Sequence, residues 1–211
     1  FTRGIREFVG QQQQRQWSNR EFRASLVELT GSTMGIVGLG TVGRAVAKRA
    51  HAFDMRVIAV DALPVERPDH VEWLGDLSGL PRLLAESDFV VVTVPYTAET
   101  AGMVGAELLA HAKPTAMLVG ISRGGVIDEE ALAAALQEGR LAAAALDVVT
   151  DEPLAADSPL WDVPNLLITP HVAGGTQFEC EHILDIFKEN LSRFVRGELP
   201  LRNQVDKGRG F

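Results

Sequence analysis

The sequence predicts an α/β protein, a doubly wound parallel sheet with helices on both faces. Three observations carry this. From about residue 33 onward, apolar runs of strand length alternate with stretches of helical periodicity, the order that gives parallel strands joined by right-handed helical crossovers. One run, DFVVVTVP at 88–95, is almost continuously apolar, the signature of a strand buried on both faces. Three glycines, Gly38, Gly40 and Gly43, stand between a strand-like run and a helix-like one.

Taken in order, QQQQRQW near the start is too short for a prion-like tract and reads as a polar helix face. GSTMGIVG is a buried strand after a turn at Gly31 and Ser32, and 41–52 follows as a helix with Val42, Ala45, Val46 and Arg49 at helical spacing. MRVIAVD is a second strand ending in Asp61. Two prolines make 62–70 a loop. A helix is expected over 79–86, with Pro81 in its first turn, where the missing N–H costs little. After DFVVVTVP, 105–111 reads as a short helix and TAMLVGIS as a strand. Asp128 caps the next helix, Glu129 and Glu130 suit its dipole, and Gly139 ends it. LAAAALDVV and NLLIT complete the strands. The last helix carries Cys180, Ile183, Leu184, Phe187, Leu191, Phe194 and Val195 on one face, with acids early and arginines late.

Length and composition bound the function. The chain has 211 residues, 46% hydrophobic and 23% charged, enough for a packed core in one large domain or a domain with an appendage. A net charge of −8 argues against nucleic acid, which needs a basic stripe. No apolar run reaches the roughly 18 residues of a membrane span, and no signal peptide is visible. One cysteine, Cys180, fits a reducing compartment, so the expected location is cytoplasmic. No spacing of His, Cys and carboxylates suggests a metal.

Gly38, Gly40 and Gly43 spell G-x-G-x-x-G, the turn of Rossmann-type nucleotide-binding domains. The first glycine permits the tight turn, the second lets a pyrophosphate reach the backbone, and the third lets helix and strand pack closely. The helix N-terminus then offers free N–H groups to the anion. An acid should close the next strand and bind a ribose hydroxyl. Asp61 does so, near the usual spacing of about 20 residues. Its carboxylate would repel a 2′-phosphate, which favours NAD. Arg67 in the following loop keeps NADP as the second candidate. S-adenosylmethionine enzymes share the glycine turn and the acid, and they compete at this point.

Further stretches separate these readings. GISRGGVIDEEAL, ALDVVTDEPL and PLWDVPNLLITPHVAGG, together with GIVGLGTVGRAVA and VTVPYTAET, resemble the NAD-dependent D-2-hydroxyacid dehydrogenase family from about residue 17 onward. The resemblance implies hydride transfer between NAD(H) and a small D-2-hydroxy acid or 2-keto acid. It implies three catalytic residues: Arg123 in SRGG, Glu152 in DEP and His171 in TPH. His171 would be the general acid and base, a task that suits imidazole. Glu152 would orient it, and the planar fork of Arg123 would clamp the substrate carboxylate. The implied cofactor contacts are Thr41 and Val42 at the turn, Val94, Pro95 and Thr100 on the adenosine side, and Ile121, Ser122, Asp147 and Gly174 by the nicotinamide. His51, His70, His111 and His182 match no motif and are expected at the surface or at helix ends.

The chain also departs from the family. Gly120 and Ile121 stand where Asn and Thr are usual, and Val149 where Phe is common. The family's second domain comes mainly from residues preceding the helix near Phe1, so roughly 100 residues, the size of a small domain, are expected to be missing at the front. The expected organisation is a linking helix region over 1–30, the NAD-binding domain over 31–175, and a C-terminal helix and tail over 176–211 that return toward that second domain, whose flanking helices remain. A homodimer is implied, with Ile5, Phe8, Val9, Trp17, Phe22 and Leu26 as candidates for its surface. The alternative is a non-catalytic NAD(H)-binding regulator of corepressor type, as some relatives are.

Overall fold

In the computed structural model, residues 1–18, 23 and 26–209 are described. The elements are α1 (Ile5–Gln13), β1 (Thr33–Val37), α2 (Thr41–Ala52), β2 (Arg56–Val60), β3 (Trp73–Gly75), α3 (Leu80–Glu86), β4 (Phe89–Val92), α4 (Ala106–Leu109), β5 (Met117–Gly120), α5 (Glu129–Gln137), β6 (Ala143–Leu146), β7 (Leu166–Ile168) and α6 (Glu179–Val195). All seven strands are parallel, in the order β3-β2-β1-β4-β5-β6-β7. The chain therefore runs outward from β1 in one direction, returns to its other side at β4, and runs outward again. Loops that leave the carboxyl ends of β1 and β4 diverge there, which opens the crevice in which such sheets bind ligands.

Strand alternation sorts the core into two layers. Ile36 of β1, with Leu39, Val57, Ala59 and Phe89, packs against Ala47 and Ala50 of α2. Its neighbour Val37, with Val60, Val92 and Leu146, packs against α3, α4 and α5 through Leu83, Leu109 and Leu132. Helices thus cover both faces, as expected. The α2 layer is the thinner one. Along the row Ile36, Val91, Val119, Ala145 and Leu167, exposure rises from 0% at Ile36 to 41% at Leu167.

Several local expectations change. The buried residues of α2 are Gly43, Ala47 and Ala50, with Val46 partly buried against the same layer, while Val42 is 52% exposed and Ala45 is exposed. Small residues face the sheet because the helix lies so close to it. The glutamine run is helical only as far as Gln13, so Gln14 to Trp17 do not form the expected helix face. The three-residue β3 falls after the 62–70 loop in a stretch with no strand signal. The ring of Trp73 lies over Gly75 and Gly79, and Arg82 stacks 4.4 Å above it. Asp128 caps α5 as expected, accepting from the Ala131 N–H at 3.0 Å. The apolar face of α6 has the expected residues, but none is buried. Phe187 is 59% and Phe194 71% exposed.

His51 is exposed in the last turn of α2, as expected, but His70 is partly buried. Its Nε2 has no hydrogen-bond partner, and its ring lies 5.8 Å from that of His51. Among the described residues no group of His, Cys, Asp and Glu could hold a metal ion, and no helix is long and apolar enough to cross a membrane.

Candidate functional site

The carboxyl ends of β1, β2 and β4 to β7 bring most of the singled-out residues to one edge of the sheet. At the end of β1, Gly38 has φ +95°, a conformation glycine adopts without strain. A Cβ there would also stand 2.8 Å from Val94 Cγ1. A Cβ on Gly43 would lie only 2.0 Å from the Gly38 carbonyl oxygen, so this residue lets α2 seat on β1. Gly40 has nothing within 4 Å of its missing Cβ. It precedes Thr41, the first residue of α2, and among the described residues no side chain caps that helix. Bare backbone, an uncapped helix N-terminus and open space form a cradle suited to a pyrophosphate.

Asp61 follows β2. Its Oδ2 accepts from the Leu39 N–H at 2.7 Å and its Oδ1 from the Leu63 N–H at 2.8 Å. The carboxylate is thereby fixed beside the glycine turn, and each oxygen keeps a lone pair for a hydroxyl donor. Arg44 of α2 and Arg67 of the loop after β2 are engaged elsewhere. Arg44 donates to the Glu66 carbonyl at 2.6 Å and Arg67 to the Val71 carbonyl.

A depression of about 490 Å³ is lined by Val42, Thr93, Val94, Pro95, Tyr96, Ile121, Ser122 and Arg123. It joins the N-terminus of α2 to the loops after β4 and β5. Tyr96 and Thr93 were not singled out from the sequence, although Tyr96 belongs to the VTVPYTAET stretch. The Tyr96 ring lies over Gly125, two residues beyond Arg123. Thr100 is used within its own turn, its hydroxyl donating to the Pro95 carbonyl at 2.6 Å. Arg123 is exposed, with Nη1 donating to the Ser122 carbonyl at 2.7 Å.

A second depression, of about 520 Å³, includes Asp147, Glu152, Trp161, Thr169 and His171 in its lining. His171 Nδ1 is 2.7 Å from Glu152 Oε2. Glu152 Oε1 accepts from the Val149 N–H at 3.2 Å. The hydrogen bond from His171, then that from Val149, holds the Glu152 carboxyl below the usual carboxylate range. An ionised Glu152 can only accept, so Nδ1 carries a proton and Nε2 is the ring atom left to exchange one with a ligand.

The turn that presents His171 is organised by Asp147. This buried carboxylate accepts from Thr169 Oγ1 at 2.5 Å, from the Val172 N–H at 3.0 Å and from the Ala173 N–H at 2.8 Å. Its backbone carbonyl takes the His171 N–H at 2.8 Å. Burial pushes the Asp147 carboxyl up, but Thr169, Ala173 and Val172 outweigh it and the group stays below the ordinary range. His171 itself has φ +53°. Gly174 lies exposed in the same turn, which closes with Gly175 N–H donating to the Val172 carbonyl at 3.0 Å. Trp161 and Thr169 were missed in the sequence, although both lie inside the PLWDVPNLLITPHVAGG stretch.

Residues 1–173 match the family model described as "D-isomer specific 2-hydroxyacid dehydrogenase, NAD binding domain". The chain belongs to this family. A glyoxylate reductase of Korarchaeum cryptofilum is 44% identical over 174 residues, which are 82% of this chain and 52% of that protein. A D-3-phosphoglycerate dehydrogenase of Archaeoglobus fulgidus is 39% identical over 191 residues, 90% of this chain and 35% of that one. The chain thus spans about half the length of the first relative and about a third of the second. Among solved structures, a D-isomer specific 2-hydroxyacid dehydrogenase from Xanthobacter autotrophicus, in complex with NADPH and MES, superposes with a TM-score of 0.86 at 36% identity. That match covers all of this chain and 84% of the other.

Proposed function

We propose that this chain is the cofactor-binding part of an enzyme that moves a hydride between NAD(H) and a small D-2-hydroxy acid or its 2-keto acid. The observation that carries the proposal is the 2.7 Å pair of His171 and Glu152 on the same sheet edge as Arg123 and the glycine cradle. Gly38, Gly40, Thr41, Val42 and Gly43 would hold the pyrophosphate, and Asp61 a ribose. Val94, Pro95 and Thr100 would border the adenosine. Ile121, Ser122, Asp147 and Gly174 would flank the nicotinamide, which supplies the hydride when bound.

The rest is work for side chains. Arg123 offers a planar set of donors that fits a carboxylate and reaches the adjacent carbonyl oxygen. This orients the substrate and draws electron density from C2. As C2 accepts the hydride, its oxygen takes a proton from His171 Nε2, giving the hydroxyl. In the reverse direction Nε2 accepts that proton. Glu152 fixes the ring and stabilises the imidazolium that precedes the transfer.

Asp61 supports NAD over NADP, because a fixed carboxylate disfavours a 2′-phosphate and Arg44 and Arg67 are tied to backbone carbonyls. The uncovered face of α6 supports the reading that 176–211 pack on a second domain, with 1–30 as the linking region and 31–175 as the NAD-binding domain. A homodimer through the cofactor domain fits the exposed Ile5, Val9 and Trp17. Phe8 and Leu26 are partly buried, and Phe22 lies outside the described residues. Sedimentation at micromolar concentration reads this, and a monomer would overturn it.

The function is tested with the full-length protein, a panel of glyoxylate, hydroxypyruvate and pyruvate, and both NADH and NADPH. Turnover with at least one keto acid, faster with NADH and abolished by His171→Asn, is expected. NADH binding without turnover, with a cofactor-dependent change of association state indifferent to His171→Asn, would favour a regulator instead.

A further inference from the structure

Arg123 and the Glu152–His171 pair reach the site on different loops. Arg123 follows β5, while Glu152 follows β6. Substrate must touch both, so the distance between the loops is part of the chemistry. Two contacts set it. At Gly124 a Cβ would fall 1.9 Å from the Val149 carbonyl oxygen, so the Arg123 loop lies directly against the stretch that gives Glu152 its backbone donor. At the far end of the same loop, Glu129 Oε1 accepts from the Thr150 N–H at 2.6 Å and from Thr150 Oγ1 at 2.9 Å.

Glu129 is the first residue of α5, where an acid ordinarily serves the helix dipole. That role is already filled. Asp128 caps the helix and Glu130 supplies a second first-turn acid. The Glu129 carboxylate turns instead to a residue 21 positions away. It holds Thr150, whose neighbour Val149 donates to Glu152 Oε1. A continuous chain of contacts runs from Glu129 through Thr150 and Val149 to Glu152 and then His171.

We infer that Glu129 is a positioning residue, which locks the Arg123 loop to the Glu152 loop so that the carboxylate clamp and the proton donor meet one substrate. The inference rests on the proposed function for its kinetic consequence, but the lock itself is a property of this fold. A displacement of an ångström between reacting groups can cost a reaction on the order of a hundredfold, and a partly loosened loop less.

The experiment compares Glu129→Ala, Glu129→Gln and Thr150→Val with the wild type. In the full-length protein, Glu129→Ala should lower kcat about tenfold while the KM for NADH stays within about twofold. Glu129→Gln keeps an oxygen in place while removing the charge, and should retain kcat within about twofold. An effect on the helix dipole alone predicts the opposite, with Gln as harmful as Ala. Carbon-detected titration of the Glu152 carboxyl, with amide exchange at Thr150, reads the lock without turnover. In Glu129→Ala and Thr150→Val the Glu152 carboxyl should titrate higher and the residue-150 amide exchange faster. Unchanged titration and exchange in Glu129→Ala would overturn the inference, as would unchanged kcat in an active enzyme. A wild type that reduces no keto acid overturns the proposed function instead, and the titration then decides the lock alone.

Discussion

Gly43 and Gly40 belong to one motif, yet the structure assigns them different physical tasks, and paired substitutions separate them. In Gly43→Ala the new methyl would stand 2.0 Å from the Gly38 carbonyl oxygen, 3.0 Å from its carbon and 3.2 Å from Ile36 Cγ2, against an ordinary contact of 3.4–4 Å. Neither near atom is a flexible side chain, so α2 must withdraw from β1 by more than 1 Å. Overpacking of this kind costs about 1–3 kcal/mol. With a 2.0 Å approach to backbone the upper part of that range, about 2–3 kcal/mol, applies, and alanine returns about 1 kcal/mol of helix propensity, leaving a net loss of roughly 1–2 kcal/mol. For a chain of this size that lowers Tm by about 2–8 °C. Because the cradle moves with α2, NADH affinity should also fall. Gly40→Ala meets nothing within 4 Å, and its φ of −72° is open to any residue. Its Tm should stay within about 1 °C of wild type, while its methyl enters the space of the pyrophosphate and weakens NADH by about tenfold or more, ~1.4 kcal/mol. Differential scanning calorimetry gives the first quantity and titration calorimetry with NADH the second. A Gly43→Ala protein as stable and as tight-binding as wild type would refute the reasoning, as would a Gly40→Ala protein that binds NADH normally.

Further outcomes follow from the same edge of the sheet. Glu152→Gln should lower kcat by about a hundredfold while NADH affinity, by fluorescence titration, stays unchanged, since the ring loses its charged partner. Asp61→Ala should move the ratio of kcat/KM for NADH over NADPH toward NADPH by about tenfold. Asp147→Asn should destabilise by about 1–3 kcal/mol at pH 7, because an amide nitrogen replaces an acceptor of buried donors. Asp147 titrates below its ordinary value of 3.8, so its contribution is present above that pH and is lost as pH falls through the folded value. Urea unfolding across pH should show the gap between wild type and Asp147→Asn closing only below about 3.8, and a gap independent of pH would contradict the assignment.

Long periodic elements and motif-bearing turns were readable from residues alone. β1, β2 and β4 fall where continuous apolar runs lie, and α5 begins where Asp128 and two acids announce it. What escaped depends on tertiary contact. β3 is accompanied by contacts of Trp73 with two glycines and with Arg82, and no three-residue pattern encodes that. In α2, helical spacing picked out Val42, Ala45, Val46 and Arg49, but only Val46 packs on the core, and the buried positions are Gly43, Ala47 and Ala50, because the helix sits so close to β1. In the site, the pairing of His171 with Glu152 joins two loops 19 residues apart. Residue spacing did not reveal it, and a family resemblance did. The three bonds of Asp147 to the histidine turn were invisible for the same reason, because two of them go to backbone N–H groups.

The backbone of His171 has a consequence for anyone replacing it. A residue held at φ +53° has already given up about 1–2 kcal/mol relative to its preferred shapes. Asparagine enters that shape readily, alanine less so, and a side chain branched at Cβ hardly at all. An alanine or valine at 171 therefore removes the imidazole and deforms the turn in one stroke, confounding lost chemistry with lost geometry. Asparagine removes the imidazole alone, and by the same token it is the residue a lineage abandoning the reaction could adopt with the turn intact.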